Sequence, residues 1–204
     1  LLKTFIIADC GHYEEAVRVL SDMEKEYRIV PEDEAADYWC DCVAAHIPEL
    51  VPLIAAAAGV KAGVVSRDQF EGGERRKLNL GHTFAHAIEA LARREAMTGE
   101  SSPENSDITH GEAVAMGMVL AARLSDRIFH GDMETPTALE GRLRADFWDC
   151  GLAPHCPFGV DEMAYVMQKD KKAEGGKVHF VLPRTVGDVT VKALTVEEVV
   201  KLLK

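Results

Sequence analysis

The chain has five cysteines, Cys10, Cys40, Cys42, Cys150 and Cys156, and no CxxC spacing among them. A zinc knuckle or dithiol redox motif is therefore not legible, and free thiols in a reducing cytoplasm are expected. Glycine-rich phosphate loops are also missing. There is no GxGxxG and no P-loop, and Gly72-Gly73 and Gly175-Gly176 read as turns. The chain thus carries no recognisable nucleotide-binding motif of its own. Positive charge is scarce: 23 Lys and Arg stand against 34 Asp and Glu, for a net charge of −11. Such a surface argues against general nucleic-acid binding. It also repels anions, so a site for an anionic ligand must gather its cations locally. No apolar run is expected to reach membrane-spanning length, because IPELVPLIAAAAGV is broken by Pro52 and bounded by Glu49. No secretory pattern opens the chain, and no internal repeat is found. The reading is a cytoplasmic protein with neither nucleic acid nor membrane as partner.

What is present is enough apolar residue for one buried domain, 47% of 204 residues. Residues 1–8 read as the tail of a helix, and Glu14–Tyr27 as a second. Asp33 offers an N-cap for a helix over Glu34–Ile47, and Pro52 starts another that runs toward Val65. Residues 66–76 are turn-rich. Leu80, Phe84, Ile88 and Leu91 have helical spacing within a predicted helix 78–95. Residues 97–109 read as an exposed loop, followed by helices 110–129, 137–150 (ending at Gly151) and 160–171. Met116, Met118 and Met133 read as core filler. Residues 177–192 alternate apolar and polar around a Gly-Asp turn and read as a β-hairpin. Thr195 caps a last helix over 196–203. The fold class is mostly α with one small hairpin.

Two runs carry the chemistry, LNLGHTFAHAIEA at 78–90 and HGEAVAMGMVLAARLS at 110–125. His82 and His86 are four residues apart, so a helix places them one turn apart on one face. His110 begins the next helix. Imidazoles on neighbouring helices suit zinc, cobalt or iron, commonly with a carboxylate. Gly81 and Ala85 are expected to keep the surface around them open. Geometry alone does not separate His82 from His86 as the ligand. Glu112 is a candidate carboxylate, although its place in a first helical turn also suits the helix dipole.

Taken with Lys61, Arg75 and Asn79 upstream, this order of residues resembles the 3-dehydroquinate synthase family. The resemblance extends from LLKTFIIAD at 1–9, through VKAGVVSRDQFEGGERRKLNLGHTFAHAIE, to DKKAEGGKVHFVLPRTVGDVTV at 170–191. It implies the family's helical C-terminal domain across residues 1–204. The NAD-binding α/β domain would lie N-terminally, outside this chain. The chain starts Leu-Leu-Lys without methionine, and this too reads as a C-terminal portion of a longer polypeptide. The resemblance makes His82 and His110 metal ligands and His86 a substrate-side residue. Lys3 aligns with the lysine of an AExxK motif, whose glutamate, the third ligand, would fall one residue before Leu1. Lys3, His86 and Asn79 are the implied catalytic set. Lys61, Arg75 and Lys171 are the implied substrate cations, with Lys171 preferred to the adjacent Lys172. Arg76 and Lys77 are read as solvated surface residues.

The implied reaction converts 3-deoxy-D-arabino-heptulosonate 7-phosphate into 3-dehydroquinate and phosphate, in the shikimate pathway, with NAD and a divalent metal, zinc or cobalt. The whole enzyme is expected to be a homodimer acting on this small anionic sugar phosphate, and the isolated chain to be inactive. A 2-deoxy-scyllo-inosose or valiolone-type synthase is the near rival, but its substrate has no carboxylate, and Lys61 with Arg75 favours one. A glycerol-dehydrogenase-like enzyme needs fewer cations. A non-catalytic helical metal-binding module is the alternative from another class.

Overall fold

The computed structural model describes residues 1–30, 35–99, 108–130, 138–169 and 176–204. It contains eight α-helices and one hairpin among the described residues, in agreement with the mostly helical reading. The helices are α1 (Leu2–Ala8), α2 (Cys10–Arg28), α3 (Ala35–Arg67), α4 (His82–Thr98), α5 (His110–His130), α6 (Ala138–Asp149), α7 (Val160–Lys169) and α8 (Val196–Leu203). Strands β1 (Lys177–Thr185) and β2 (Asp188–Thr195) form the antiparallel hairpin after α7.

The centre is α5. Every residue from Ala113 to Ala122 is buried, as are Leu124, Ser125 and Asp126. A helix apolar all round must be enclosed, and α4, α6, α8 and β1 enclose this one. Met116 and Met118 are core residues, as expected, and Met133 lies outside the described residues. From α4, Phe84, Ile88 and Leu91 point inward, and Phe84 meets Phe180 of β1 at 5.4 Å between ring centroids.

Several boundaries follow from capping. Helix α2 starts at Cys10, ahead of the expected Glu14, because the Asp9 side chain accepts from the His12 backbone N–H at 3.1 Å. Helix α8 has the reciprocal capping box its sequence predicts: Glu198 N–H donates to Thr195 Oγ1 at 3.1 Å, and Thr195 N–H to Glu198 Oε2 at 2.7 Å. Gly151 closes α6 at φ +77°. The hairpin turn is Val186-Gly187, one residue earlier than the expected Gly-Asp. Gly187, at φ +90°, donates its N–H to the Ile6 carbonyl at 2.9 Å and ties the hairpin to α1.

Three expectations are corrected. Residues 35–67 form one helix, with Pro48 and Pro52 inside it, rather than two separated before Pro52. Proline costs a helix one N–H bond and a steric clash. Here both prolines are exposed, four residues apart, in a tract otherwise rich in alanine. The unbroken helix makes Tyr38–Arg67 apolar and long enough to cross a membrane by length and composition, contrary to the sequence reading, with mean hydropathy 1.6. Trp39, Ile47, Val51 and Ile54 stand exposed along it. The Asp33 cap expected for this tract lies outside the described residues. Next, α4 begins at His82, not at residue 78. Residues Glu74–Asn79 form a 3-10 helix, and Gly81, at φ +78°, breaks the chain between the two helices. Third, the connection expected from residue 97 starts later: α4 continues to Thr98 and Gly99 closes it at φ +71°. Residues 100–107 lie outside the described residues.

Gly81 and Ala85 do not open the surface. Both are buried, against α5. A methyl group on Gly117 would overlap the Gly81 carbonyl oxygen and lie 3.2 Å from the Ala85 nitrogen. One on Gly81 would lie 2.8 Å from the Val114 carbonyl oxygen. Gly117→Ala is therefore expected to lower unfolding free energy by about 1–3 kcal/mol, the usual cost of overpacking. Gly59→Ala on α3, where an added methyl group meets nothing within 4 Å, should be neutral or stabilise by up to about 1 kcal/mol. Urea unfolding of the two variants tests the contrast.

Candidate functional site

The α4–α5 crossing puts the first residue of each helix side by side. The His82 and His110 rings lie 5.5 Å apart between centroids, and those of His82 and His86 5.8 Å apart. The HxxxH spacing thus delivers one face, and the crossing adds the third imidazole. His82 and His110, the ligands implied by the family resemblance, are each held through one ring nitrogen. His82 Nδ1–H donates to the Leu80 carbonyl at 3.1 Å. His110 Nδ1–H donates to Glu89 Oε1 at 2.9 Å. Both bonds leave Nε2 with its lone pair, the arrangement that metal-binding histidines use. Glu89 was missed in the sequence reading. Its signal was there: it follows His86 by three residues and His82 by seven, on the same helix face.

Lys3 reaches this cluster from α1. Its ammonium donates to the Leu78 carbonyl at 3.0 Å and lies 3.5 Å from His82 Nε2. Burial, then the Lys61 charge, hold the Lys3 pKa below the ordinary lysine value. Lys61, exposed on α3, is thus placed on the Lys3 side of the site. Burial, followed by the Lys3 charge, also lowers the His82 pKa, against the bond to Leu80. His82 loses its proton at a lower pH than a free imidazole, so it is neutral at pH 7 and able to bind a metal.

The other expected residues are distributed differently. Asn79 ends the 3-10 helix, and its Nδ2 donates to Glu71 Oε1 at 2.9 Å. It does not share a helix face with His82, because Leu80 and Gly81 intervene, nor does it cap α4. It lines a second hollow of about 330 Å³ with Glu71, Arg76, His179 and Val181. Glu71 adopts φ +59°, a strained conformation for a residue with a Cβ. Arg75 is half-buried; its Nη1 donates to the Gln69 carbonyl at 2.8 Å. Its backbone N–H joins those of Gly72 and Gly73 on the Asp68 carboxylate, which pins the turn. Arg76 is not a solvated surface residue, since its Nη1 donates to His179 Nε2 on β1 at 2.8 Å. Glu112 has a capping role: its carboxylate accepts from Thr109 N–H and Oγ1, at 2.8 and 2.7 Å. Lys171 and Lys172 lie outside the described residues.

His86 projects from α4 into a cavity of about 490 Å³ between α4, α7 and β1, lined also by Thr83, Ala87, Ala90, Val166, Met167, Lys169 and Val178. Its volume suits a small ligand. Lys169 was not singled out in the sequence reading. Only the fold of α7 against α4 brings it to His86.

Residues 31–173 match the family described as 3-dehydroquinate synthase C-terminal. The 3-dehydroquinate synthase of Xanthomonas campestris pv. campestris (strain 8004) is 42% identical over 144 residues, covering 70% of this chain and 36% of that protein. That of Xylella fastidiosa (strain M12) is 41% identical over 140 residues, covering 68% and 35%. The chain therefore spans about a third of the length of the curated relatives it matches. Among solved structures, a 2-epi-5-epi-valiolone synthase from Streptomyces hygroscopicus subsp. jinggangensis 5008, with NAD+ and Zn2+ bound, is similar with a TM-score of 0.64 at 22% identity, over 99% of this chain and 48% of that one. A 2-deoxy-scyllo-inosose synthase complexed with carbaglucose-6-phosphate, NAD+ and Co2+ gives 0.53 at 21%, over 76% and 41%. These two likenesses establish the fold.

The charge coupling between Lys3 and His82 is measurable. In metal-free protein, NMR titration should give His82 a midpoint below the ordinary 6.5. Lys3→Met removes the neighbouring charge and should raise that midpoint. An unchanged His82 midpoint in Lys3→Met would place the two side chains apart.

Proposed function

We propose, from the premise that this chain belongs to the 3-dehydroquinate synthase C-terminal family, that it is the metal- and substrate-binding portion of an enzyme forming 3-dehydroquinate and phosphate from 3-deoxy-D-arabino-heptulosonate 7-phosphate. The observation that carries this is the meeting of Lys3, His82, His86 and His110 at the starts of α4 and α5. Two helix N-termini and the Lys3–Lys61 pair concentrate positive potential there, within a chain of net charge −11. An anionic sugar phosphate needs that local reversal of sign.

His82 and His110 would hold the metal through Nε2. The donor set fits zinc or cobalt: two imidazoles, each oriented by a hydrogen bond through Nδ1. When bound, the metal supplies a Lewis acid for a substrate alcohol, and NAD+ supplies a reversible hydride acceptor. The remaining work falls to this chain's side chains. Lys3 and Lys61 neutralise the substrate's anionic groups. Burial and the Lys61 charge hold the Lys3 pKa below the ordinary lysine value, which eases proton release from that ammonium. His86, exposed beside the cavity, can accept or deliver a proton on the substrate side. Arg75 offers the planar fork that grips a carboxylate. Asn79 and Lys171 complete the proposed substrate contacts. A NAD-binding α/β domain would be supplied by polypeptide outside this chain, and the whole enzyme would act as a cytoplasmic homodimer.

The carboxylate separates this reading from the valiolone- and inosose-type cyclases, and the 42% identity to 3-dehydroquinate synthases supports it. The test is turnover by the polypeptide that joins this chain to its NAD-binding domain. It should release phosphate from the heptulosonate phosphate and not from glucose 6-phosphate; the reverse preference would overturn the assignment. His82→Ala should abolish turnover. Arg75→Lys should weaken substrate by about 1.5–3 kcal/mol, the range for a lost charge-assisted bond. The 204-residue chain alone, given NAD+ and metal, should form no product.

A further inference from the structure

A second group of donor atoms lies between α2 and α3 and shares no residue with the site above. Glu26 on α2 faces Cys42 and His46 on α3, and one ligand atom from each falls within 4.8 Å of the others. Cys42 and His46 are four residues apart, so α3 presents both on one face. Cys42 is 4% exposed. His46 Nδ1–H donates to the Cys42 carbonyl at 2.9 Å, which leaves Nε2 with its lone pair. That nitrogen lies 3.8 Å from Glu26 Oε1, while Glu26 Oε2 lies 3.7 Å from Cys42 Sγ.

The separations decide what the group is for. A nitrogen and an oxygen that share a proton sit at about 2.7–3.2 Å. The His46–Glu26 gap is wider than that, and the Cys42 thiol has three loose contacts, with Glu26 Oε2 at 3.7 Å, the Met23 carbonyl at 3.9 Å and His46 Nδ1 at 4.0 Å. Two ligands on a tetrahedral zinc ion are instead about 3.3–3.8 Å apart, from bond lengths of about 2.0–2.3 Å. The donor atoms of the three side chains stand close to the separations of ligands around one ion. Each of the carboxylate's two oxygens is directed at a different partner, and the histidine is braced through its other nitrogen by a backbone carbonyl, as ligating histidines are.

We propose that Glu26, Cys42 and His46 form a zinc site that clips α2 to α3, with water completing the tetrahedron. Thiolate, imidazole and carboxylate together select zinc over magnesium or calcium, which take oxygen ligands. The clip joins the helix that follows Lys3 in the chain to the helix that carries Lys61. The ion would therefore set the distance between two cations of the proposed substrate site, with no contact to the substrate itself.

Cobalt(II) reads this site separately from the first. A thiolate bound to Co2+ gives an intense near-ultraviolet charge-transfer band, which a histidine-only site lacks. The 204-residue chain carrying His82→Ala and His110→Ala should develop that band on titration with Co2+, at one equivalent. Cys42→Ser should remove it, and Cys156→Ser should leave it. His46→Ala and Glu26→Gln should each weaken Co2+ binding at least tenfold. Glu26 is exposed, so its amide variant keeps the fold and serves if Cys42→Ser does not. Zn2+ should raise the melting temperature of the double-histidine variant, and not once Glu26→Gln is added. Absence of the band at saturating Co2+, or a band unchanged by Cys42→Ser, would overturn the proposal. Because the first site is removed in this background, these outcomes are independent of the reaction proposed above.

Discussion

Gly117 lies against the carbonyl of Gly81 with no room for a methyl group between α5 and the turn that opens α4. The remaining features of the histidine site depend on that approach. A left-handed φ at Gly81 ends the 3-10 helix and starts α4 on His82. The bare backbone of Gly117 lets that start settle on α5, about two turns beyond His110. Larger residues at either position would push the helices apart and carry His82 away from His110. Protein interiors are packed too densely to absorb such a change without movement. The site thus rests on small residues packed between the two helices.

Charge is organised with the same economy. The chain is acidic, yet Lys3, half-buried, and Lys61 face one another beside the histidines. Two like charges near one another are unfavourable without an anion, and the Lys3 pKa, lowered first by burial and then by the Lys61 charge, carries part of that cost. An anionic ligand relieves it, so binding and electrostatic strain are coupled at this point. His82 feels the same field and stays neutral, as a metal ligand must. Glu89 accepts the Nδ1–H of His110 and so turns the Nε2 lone pair of that ring away from the bond.

Much of this was legible in the sequence because it depends on local spacing. HxxxH gave the shared face of His82 and His86, and the run Phe84, Ile88, Leu91 gave the buried face opposite. Thr195 with Glu198 marked the start of α8, and alternation marked the hairpin. What was not legible depends on partners distant in sequence. Gly81 read as open surface because small residues look alike whether they face solvent or a neighbouring helix. Pro52 read as a helix start by local rules, whereas α3 runs through it. Asn79 seemed to share a face with His82 until the left-handed Gly81 turned the chain. Arg76 looked like one more surface cation, and only the placement of β1 gives it His179. Glu26, Cys42 and His46 escaped motif reading because they come from two helices and no known spacing.

Anomalous diffraction from crystals of the chain grown with zinc tests most directly whether His82 and His110 share one metal ion across the α4–α5 crossing. A shared ion gives a peak bonded to Nε2 of both His82 and His110, at about 2.0–2.1 Å from each. Zinc bound through His86 with His110 unligated, or no peak between α4 and α5 at saturating zinc, would contradict it.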